Sequence, residues 1–429
     1  MMMKKFPISI KIRSFKVKKH LRQLNKLVGG VEVENIVLID GVRTPFGKLG
    51  GNLKNFSSVT LGSMVIKETM RRTKMEADSV DEVIMGSAML AGATSVAARQ
   101  MLFKSGLLET TKSMTIDRAC CSSITAVGVA MKNILVGDSD VVLAGGIESM
   151  SQTPLLLREA RWGSRLGDIT AEDPLKIKNP ITNTPVAYVT GHEALKYGVD
   201  REQQDEWALG SHMKYFAAFE SNKFKDELMS VEIPQRKGEP IIVNKDESPR
   251  PDTSYDKLRN LKTVYDSPTI TAGNAPGLND GATVLTVMSQ KKQQELNLHS
   301  IGTILSYVNV SGDPNASVIY PGIAIQKALQ KANISLKDLK RIEINEAFAA
   351  MPLVSTKVLS DGDNGLLTKL RSITNVNGGA VAMGHPTGAS GARLIMTLAY
   401  ELRRLGGGYG AAAICGGYGQ ADAVIIRVD

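Results

Sequence analysis

The chain reads as an α/β protein built from two similar halves with a long insertion between them. Three observations predict this. Short β-branched runs alternate with stretches of helical periodicity, the pattern of strands joined by crossover helices in a mostly parallel sheet. The same order of elements returns in the last third of the chain. Residues 151–267 break the pattern with longer, polar and charged stretches.

The first half opens at Asn35-Ile36-Val37-Leu38-Ile39-Asp40, too short and too β-branched for a helix, and read as a buried strand. Turn formers follow at Arg43-Thr44-Pro45-Phe46-Gly47. Leu61, Met64, Val65 and Ile66 mark a helix over Leu61–Arg72. Glu82–Gly86 is a second strand, and a third precedes Cys120. The helix after Cys120 runs through Val127, Val129, Met131 and Leu135, and the next strand is Asp140–Gly146. In the second half, a strand at Ile301–Val310 leads to a helix at Ile323–Ala332 and a strand at Arg341–Asn345. After a loop carrying His385 come a helix at Arg393–Leu405 and strands at Tyr409–Cys415 and Ala423–Val428. Cys120 lies 38 residues beyond Glu82, and His385 lies 44 beyond Arg341, so the two occupy equivalent places in the two halves. The domain reading is a basic extension (1–34), a first half (35–150), an inserted loop domain (151–267), the end of the first half (268–299) and a second half (300–429). Within the insertion, Arg201–Phe219 reads as an amphipathic helix. The insertion is expected to cover the site.

A 43% hydrophobic content supports a sizeable core, and no apolar run reaches the roughly 18 residues of a membrane span. Three cysteines are too few and too odd for a disulfide framework, so free thiols in a reducing compartment are expected. The net charge of +9 belongs to one segment. Lys4, Lys5, Lys11, Arg13, Lys16, Lys18, Lys19, Arg22 and Lys26 all precede residue 31 without one acid, and the rest is balanced at 43 basic against 43 acidic residues. This lead lacks the continuous apolar stretch of a secretory signal. It is expected to be dispensable for catalysis, as an extension of a cytoplasmic protein or, alternatively, a transit peptide to the mitochondrial matrix. A neutral body without aromatic interleaving gives no sign of a nucleic-acid partner.

Two of the cysteines stand in turns. Cys120, in Asp117-Arg118-Ala119-Cys120-Cys121-Ser122-Ser123, opens a helix whose positive end would lower a thiol pKa, with Ser122 or Ser123 as its cap. An isolated cysteine is as readily a small buried apolar residue, and Cys121 keeps that reading. His385 sits in Gly384-His385-Pro386-Thr387-Gly388-Ala389-Ser390-Gly391, where imidazole could take a thiol proton or donate to an oxyanion. Cys415-Gly416-Gly417 puts a thiol beside unobstructed backbone amides. Asn345-Glu346-Ala347-Phe348 ends a strand, where α/β sheets bind ligands. The glycines of Thr271–Gly281 suggest another loop of close approach. No Gly-x-Gly-x-x-Gly, Walker or paired zinc-ligand spacing is present.

In order and spacing these stretches resemble the thiolase family from Asn35 to Asp429. The resemblance is carried by Val42-Arg43-Thr44-Pro45-Phe46-Gly47, Cys120–Val127, Ala144-Gly145-Gly146-Ile147-Glu148-Ser149-Met150-Ser151 and Asn345–Ala349. Asn375-Val376-Asn377-Gly378-Gly379, Gly384-His385-Pro386 and Cys415-Gly416-Gly417 complete it. It implies a five-layer αβαβα fold of two duplicated halves with an inserted loop domain. It implies that Cys120 is acylated, that His385 activates it and forms an oxyanion hole with Asn345 acting through a water, and that Cys415 is the acid/base. The amides of Cys120 and Gly417 would form a second oxyanion hole. Ala272, Leu278, Ala347 and Phe348 would lie along coenzyme A, which is a substrate; no permanent cofactor and no metal is implied. The expected partners are acyl-CoA substrates and further copies of the chain, as a homodimer or homotetramer. The expected reaction interconverts two acetyl-CoA with acetoacetyl-CoA and CoA, the alternative being a broader-chain 3-ketoacyl-CoA thiolase of fatty-acid oxidation. β-Ketoacyl synthases share the fold but lack the second cysteine, and a silent homologue would have lost a catalytic residue; Cys415 and the full set speak against both. At Pro276 the family usually has a serine that helps hold pantetheine, a contact proline cannot donate.

Overall fold

The computed structural model describes residues 34–91, 95–158, 160–163, 166–179 and 181–429. The basic lead, and what the sequence implies for it, lies outside the described residues. Strand alternation sets the architecture. In β1 (Ile36–Arg43), Val37 and Ile39 join one core and Ile36 and Leu38 another. A sheet buried on both faces needs helices on both.

The other main strands are β2 (Glu82–Gly86), β3 (Lys112–Ile116), β4 (Val141–Ser149), β5 (Asn279–Ser289), β6 (Gly302–Ser311), β7 (Leu339–Ile344), β8 (Gly408–Cys415) and β9 (Gln420–Val428). With the two-residue strand Gly47–Lys48 on β5, they form a sheet in the order β7-β8-β9-β6-β1-β5-β4-β2-β3. Reading outward from β1 gives β5, β4, β2, β3. Reading outward from β6 gives β9, β8, β7 and then Thr374, which bridges in parallel to Ile342 of β7. The duplication seen in element order is thus present in space: Cys120 follows β3, and His385 follows the Thr374 segment that takes the same place.

The main helices are α1 (Ser58–Thr73), α2 (Ala97–Ser105), α3 (Ser122–Leu135), α4 (Val186–Lys196), α5 (Arg201–Glu220), α6 (Tyr320–Ala332), α7 (Ala350–Ser360), α8 (Asn364–Ile373) and α9 (Thr387–Arg404). Leu61 and Val65 of α1 and Met101 of α2 cover the outer face of the first half through Val83, Leu143 and Val284. Ile325 of α6 and Leu370 of α8 cover the outer face of the second through Ile342 and Ile425. Between the halves, Ile124 of α3 and Leu394 and Leu398 of α9 pack with Leu38 and Val142 on one side and Ile414 and Val424 on the other. That is helix, sheet, helix, sheet, helix.

Four expectations need correction. The sheet is mixed: β2 runs parallel to β3 and β4, and β7 to β8, but the other main pairings are antiparallel. The sequence reading lacked β5, and the short turn between β8 and β9 forces an antiparallel pair. Helix α9 begins at Thr387, not Arg393, because its glycine-rich first turns are an adaptation to close packing. A Cβ on Gly388 would stand 2.3 Å from the Ile147 carbonyl, and one on Gly391 2.7 Å from the Ile124 amide, so only glycine lets α9 reach β4 and α3. Helix α5 has a buried face with helical spacing, but it is largely polar (Gln204, Asp205, Ala208, Ser211, His212, Tyr215), because it packs on polar loops at Arg250, Asn274 and Glu346. Neither Ser122 nor Ser123 caps α3; Cys121 occupies that position, without a side-chain bond to the helix. Among the described residues no helix is long and apolar enough to cross a membrane.

Candidate active site

The close approach of α3 and α9 brings their N-terminal ends together. His385 Nε2 lies 3.2 Å from Cys120 Sγ. On the other side of the ring, Nδ1 is 2.6 Å from Ser390 Oγ, and that hydroxyl donates to the Pro386 carbonyl at 2.9 Å. A serine hydroxyl has one proton, already committed to Pro386, so it accepts from Nδ1–H. This fixes the tautomer with the Nε2 lone pair facing the thiol. Asn345 Nδ2 is 3.3 Å from the same Nε2, and Asn345 Oδ1 is buried without a partner among the described residues.

Burial holds both groups neutral. Desolvation, and then the nearby Arg393 charge, push the His385 pKa down to about 3. Desolvation, and then neighbouring Cys415 and Glu148, push the Cys120 thiol well up. The sequence reading expected the helix N-terminus to lower that pKa; the site is enclosed enough that the loss of water outweighs the backbone dipole. Cys121 is fully buried in the core, its Sγ pointing at the Ile414 carbonyl.

Cys415, the last residue of β8, faces the same cavity. Burial raises its pKa to about 11, opposed by the Gly417 amide. The cavity measures about 730 Å³, and its wall includes Cys120, His385, Cys415 and Gly417, with Ala272, Leu278, Ala347 and Phe348 further along. Asn345 stands behind His385 rather than on the wall. Pro276 also lines the cavity, where it offers no donor. Leu175, Ile177, Val186, Thr190 and Tyr265 contribute an apolar side from the 151–267 segment.

Several further residues hold this geometry, and of them only Glu346, beside Asn345 at its strand's end, stood out in the sequence. Asn279 Oδ1 accepts from the His385 amide at 2.8 Å, while its Nδ2 donates to the Gly47 carbonyl at 2.8 Å. Glu148, buried at the end of β4, accepts from the Ala88, Met89 and Gly388 amides and the Thr387 hydroxyl, tying the loop after β2 to the start of α9. Glu346 accepts from Trp207 Nε1, Ser211 Oγ, Asn375 Nδ2 and the Val381 amide, which seats the Asn345 loop on α5. Arg118 clamps Asp422 at 2.6 and 2.8 Å, and Asp422 also accepts from Thr125 and Tyr307, so the Cys120 loop is anchored to β9. Glu148, Asn279 and Ser390 lie inside the glycine-bearing motifs of the sequence, but nothing marked them apart from their neighbours there.

Comparison with known proteins accords with this architecture. The thiolase N-terminal domain model matches residues 36–291 and the thiolase C-terminal domain model matches residues 298–428. The chain belongs to the thiolase family. It is 39% identical over 398 residues to an acetyl-CoA acetyltransferase of Allochromatium vinosum, covering 92% of this chain and 99% of the relative. To a probable acetyl-CoA acyltransferase of Staphylococcus aureus it is 37% identical, covering 91% and 98%. The Bacillus anthracis acetyl-CoA acetyltransferase structure superposes with a TM-score of 0.88 at 38% identity, covering 92% of this thiolase and 99% of the other chain. Human mitochondrial 3-ketoacyl-CoA thiolase in complex with CoA gives 0.86 at 37%, covering 92% and 98%.

Proposed function

We propose that this thiolase is an acetyl-CoA C-acetyltransferase, interconverting two acetyl-CoA with acetoacetyl-CoA and CoA by a ping-pong route through acetyl-Cys120. The observation that carries the reading is the Cys120–His385–Ser390 chain with Cys415 on the same cavity wall. Cys120 Sγ attacks the thioester carbonyl as its proton passes to His385 Nε2. The C–S bond to coenzyme A breaks, and Cys415 gives its proton to the departing thiolate, which leaves a Cys415 thiolate beside protonated His385. In the second half-reaction the Cys415 thiolate removes the α-proton of the next acetyl-CoA. The resulting carbanion attacks acetyl-Cys120 and expels the Cys120 thiolate, which takes its proton back from His385. Protonated Nε2, Asn345 through a water, and the Cys120 and Gly417 amides would hold the developing oxyanions. Ala272, Leu278, Ala347 and Phe348 would flank pantetheine; coenzyme A comes and goes as substrate.

A broader-chain 3-ketoacyl-CoA thiolase is the second reading, favoured by the apolar side that Leu175, Ile177 and Val186 give the cavity. On either reading, residues 151–267 act as a loop domain over the site. Exposed Leu155, Leu157, Leu166 and Ile169 support self-association as a dimer or tetramer, measurable by light scattering. The site of action proposed is the cytoplasm, or the mitochondrial matrix if the basic lead is a transit peptide. The deciding assay follows loss of acetoacetyl-CoA absorbance on adding CoA, with mass spectrometry of the acetylated enzyme. Consumption with acetyl on the Cys120 peptide supports the reading; no consumption, or label on Cys121, overturns it.

A further inference from the structure

Tyr418 lines the cavity without a part in this chemistry. Tyr418 stands between Gly417 (φ 64°) and Gly419 (φ 77°) and itself has φ 51°. Three consecutive residues are left-handed, and the middle one carries a phenol. A β-carbon is disfavoured in that conformation, so a bulky residue persists there only when its surroundings hold it. Here the hold is visible. The Gly419 amide donates to Ser317 Oγ at 3.1 Å, and its carbonyl accepts from the Gly312 amide at 2.8 Å. The Tyr418 hydroxyl donates to the Lys178 carbonyl at 3.1 Å, within the segment whose Leu175 and Ile177 close the cavity.

The position along the cavity indicates what the ring meets. Tyr418 is next to Gly417, whose amide faces Cys415, and near enough to Cys120 for a thiolate there to disfavour its ionisation, after burial itself. The other end of the cavity shares Ala272 and Leu278 with a polar recess of about 220 Å³ bearing Lys48 and Arg250, the end suited to a phosphate-bearing carrier. The phenol therefore stands at the acyl end.

We infer that Tyr418 is a specificity-determining residue, its ring closing the cavity beyond Cys120 against longer acyl chains and its hydroxyl fastening the 175–179 wall. The inference rests on the acetyltransferase reading above. It deepens that reading by naming what would restrict the site to short acyl groups.

The test compares wild type, Tyr418→Phe and Tyr418→Gly in thiolysis of acetoacetyl-CoA and 3-oxooctanoyl-CoA, with acetylation of Cys120 by acetyl-CoA followed in parallel. Tyr418→Gly should raise the kcat/KM ratio of the longer to the shorter substrate by at least about tenfold, the discrimination that a change of pocket space carries. Tyr418→Phe, which keeps the ring, should move it less. The ratio is measured within one preparation, so it does not depend on the fraction folded; Tyr418→Ala serves where Tyr418→Gly gives no turnover. An unchanged ratio, or equal shifts in Phe and Gly, overturns the assignment to the ring. Wild type that does not acetylate Cys120 overturns the acetyltransferase reading itself, whereas acetylation with an unmoved ratio removes only this inference.

Discussion

Replacing Ser390 by alanine should slow acylation of Cys120 without altering substrate binding. Ser390 Oγ is the acceptor for His385 Nδ1–H, and it is fully buried. In the Ala variant that donor has no partner, a penalty of about 1–3 kcal/mol in a closed environment. The imidazole can escape the penalty by moving its proton to Nε2, where Asn345 and the thiol lie, but then no lone pair is left to take the Cys120 proton. At 1.4 kcal/mol per factor of ten, the competent tautomer falls about 5- to 150-fold. Because Ser390 is not part of the cavity wall, KM for acetyl-CoA should stay near the wild-type value. Single-turnover acetylation with quenched mass analysis reads the first quantity, and steady-state condensation of acetyl-CoA the second. A Ser390→Ala enzyme that acylates at the wild-type rate, or whose defect sits in KM, would refute the tautomer argument.

Three further outcomes are expected. His385→Ala should cut single-turnover acylation by about 10²–10⁴, whereas Cys415→Ser should still acetylate Cys120 yet condense at a similarly reduced rate; equal acylation defects would erase the division of roles. Glu346→Ala strands four donors, among them Trp207 Nε1 and Ser211 Oγ, so the loss should exceed about 3 kcal/mol even if water enters, and a Tm within about 2 °C of wild type would contradict it. Desolvation, and then Arg250, lower the His212 pKa to about 4 in the folded state, below its ordinary 6.5. The unfolded chain therefore takes up a proton that the folded one refuses, and stability is lost as pH falls from 6.5 towards 4. Relative to His212→Asn, which keeps an acceptor for the Arg250 amide, wild type should lose about 1.4 kcal/mol per pH unit across that window in urea titrations.

Local pattern made most elements legible. The strand at Glu82–Gly86 and the helix ending at Leu135 have the bounds expected of them, because β-branched runs and helical spacing are properties of neighbours in sequence. The mixed sheet was not legible, since β5 gains its identity from pairing with β1 and β4, 240 and 140 residues upstream in round terms. Motif residues at the site could be found because His385 and Cys415 stand beside glycines, Cys120 precedes the serines that begin a helix and Asn345 ends a strand. What glycine does there is tertiary: Gly388 has no special backbone torsion, and its necessity becomes visible only when the Ile147 carbonyl is seen against it. Ser390, Asn279 and Glu148 act through such second contacts and carried no separate signal.

The thiol pKa follows from the same limit. A cysteine before a helix is a local feature and suggests a thiolate, but the enclosure that reverses the shift comes from α9, Glu148 and Cys415, all remote in sequence. The consequence is chemical. A site whose thiol resists ionisation and whose imidazole resists protonation rests as a neutral pair and cannot store an ion pair before substrate arrives. The proton then has to move in the same event that forms the thioester bond, when the new oxyanion makes a charged imidazole worthwhile. On this argument free enzyme should react sluggishly with iodoacetamide at neutral pH, although a helix N-terminus adjoins the thiol. Alkylation of Cys120 with an apparent pKa below about 7 would place the thiolate in the resting state and overturn it.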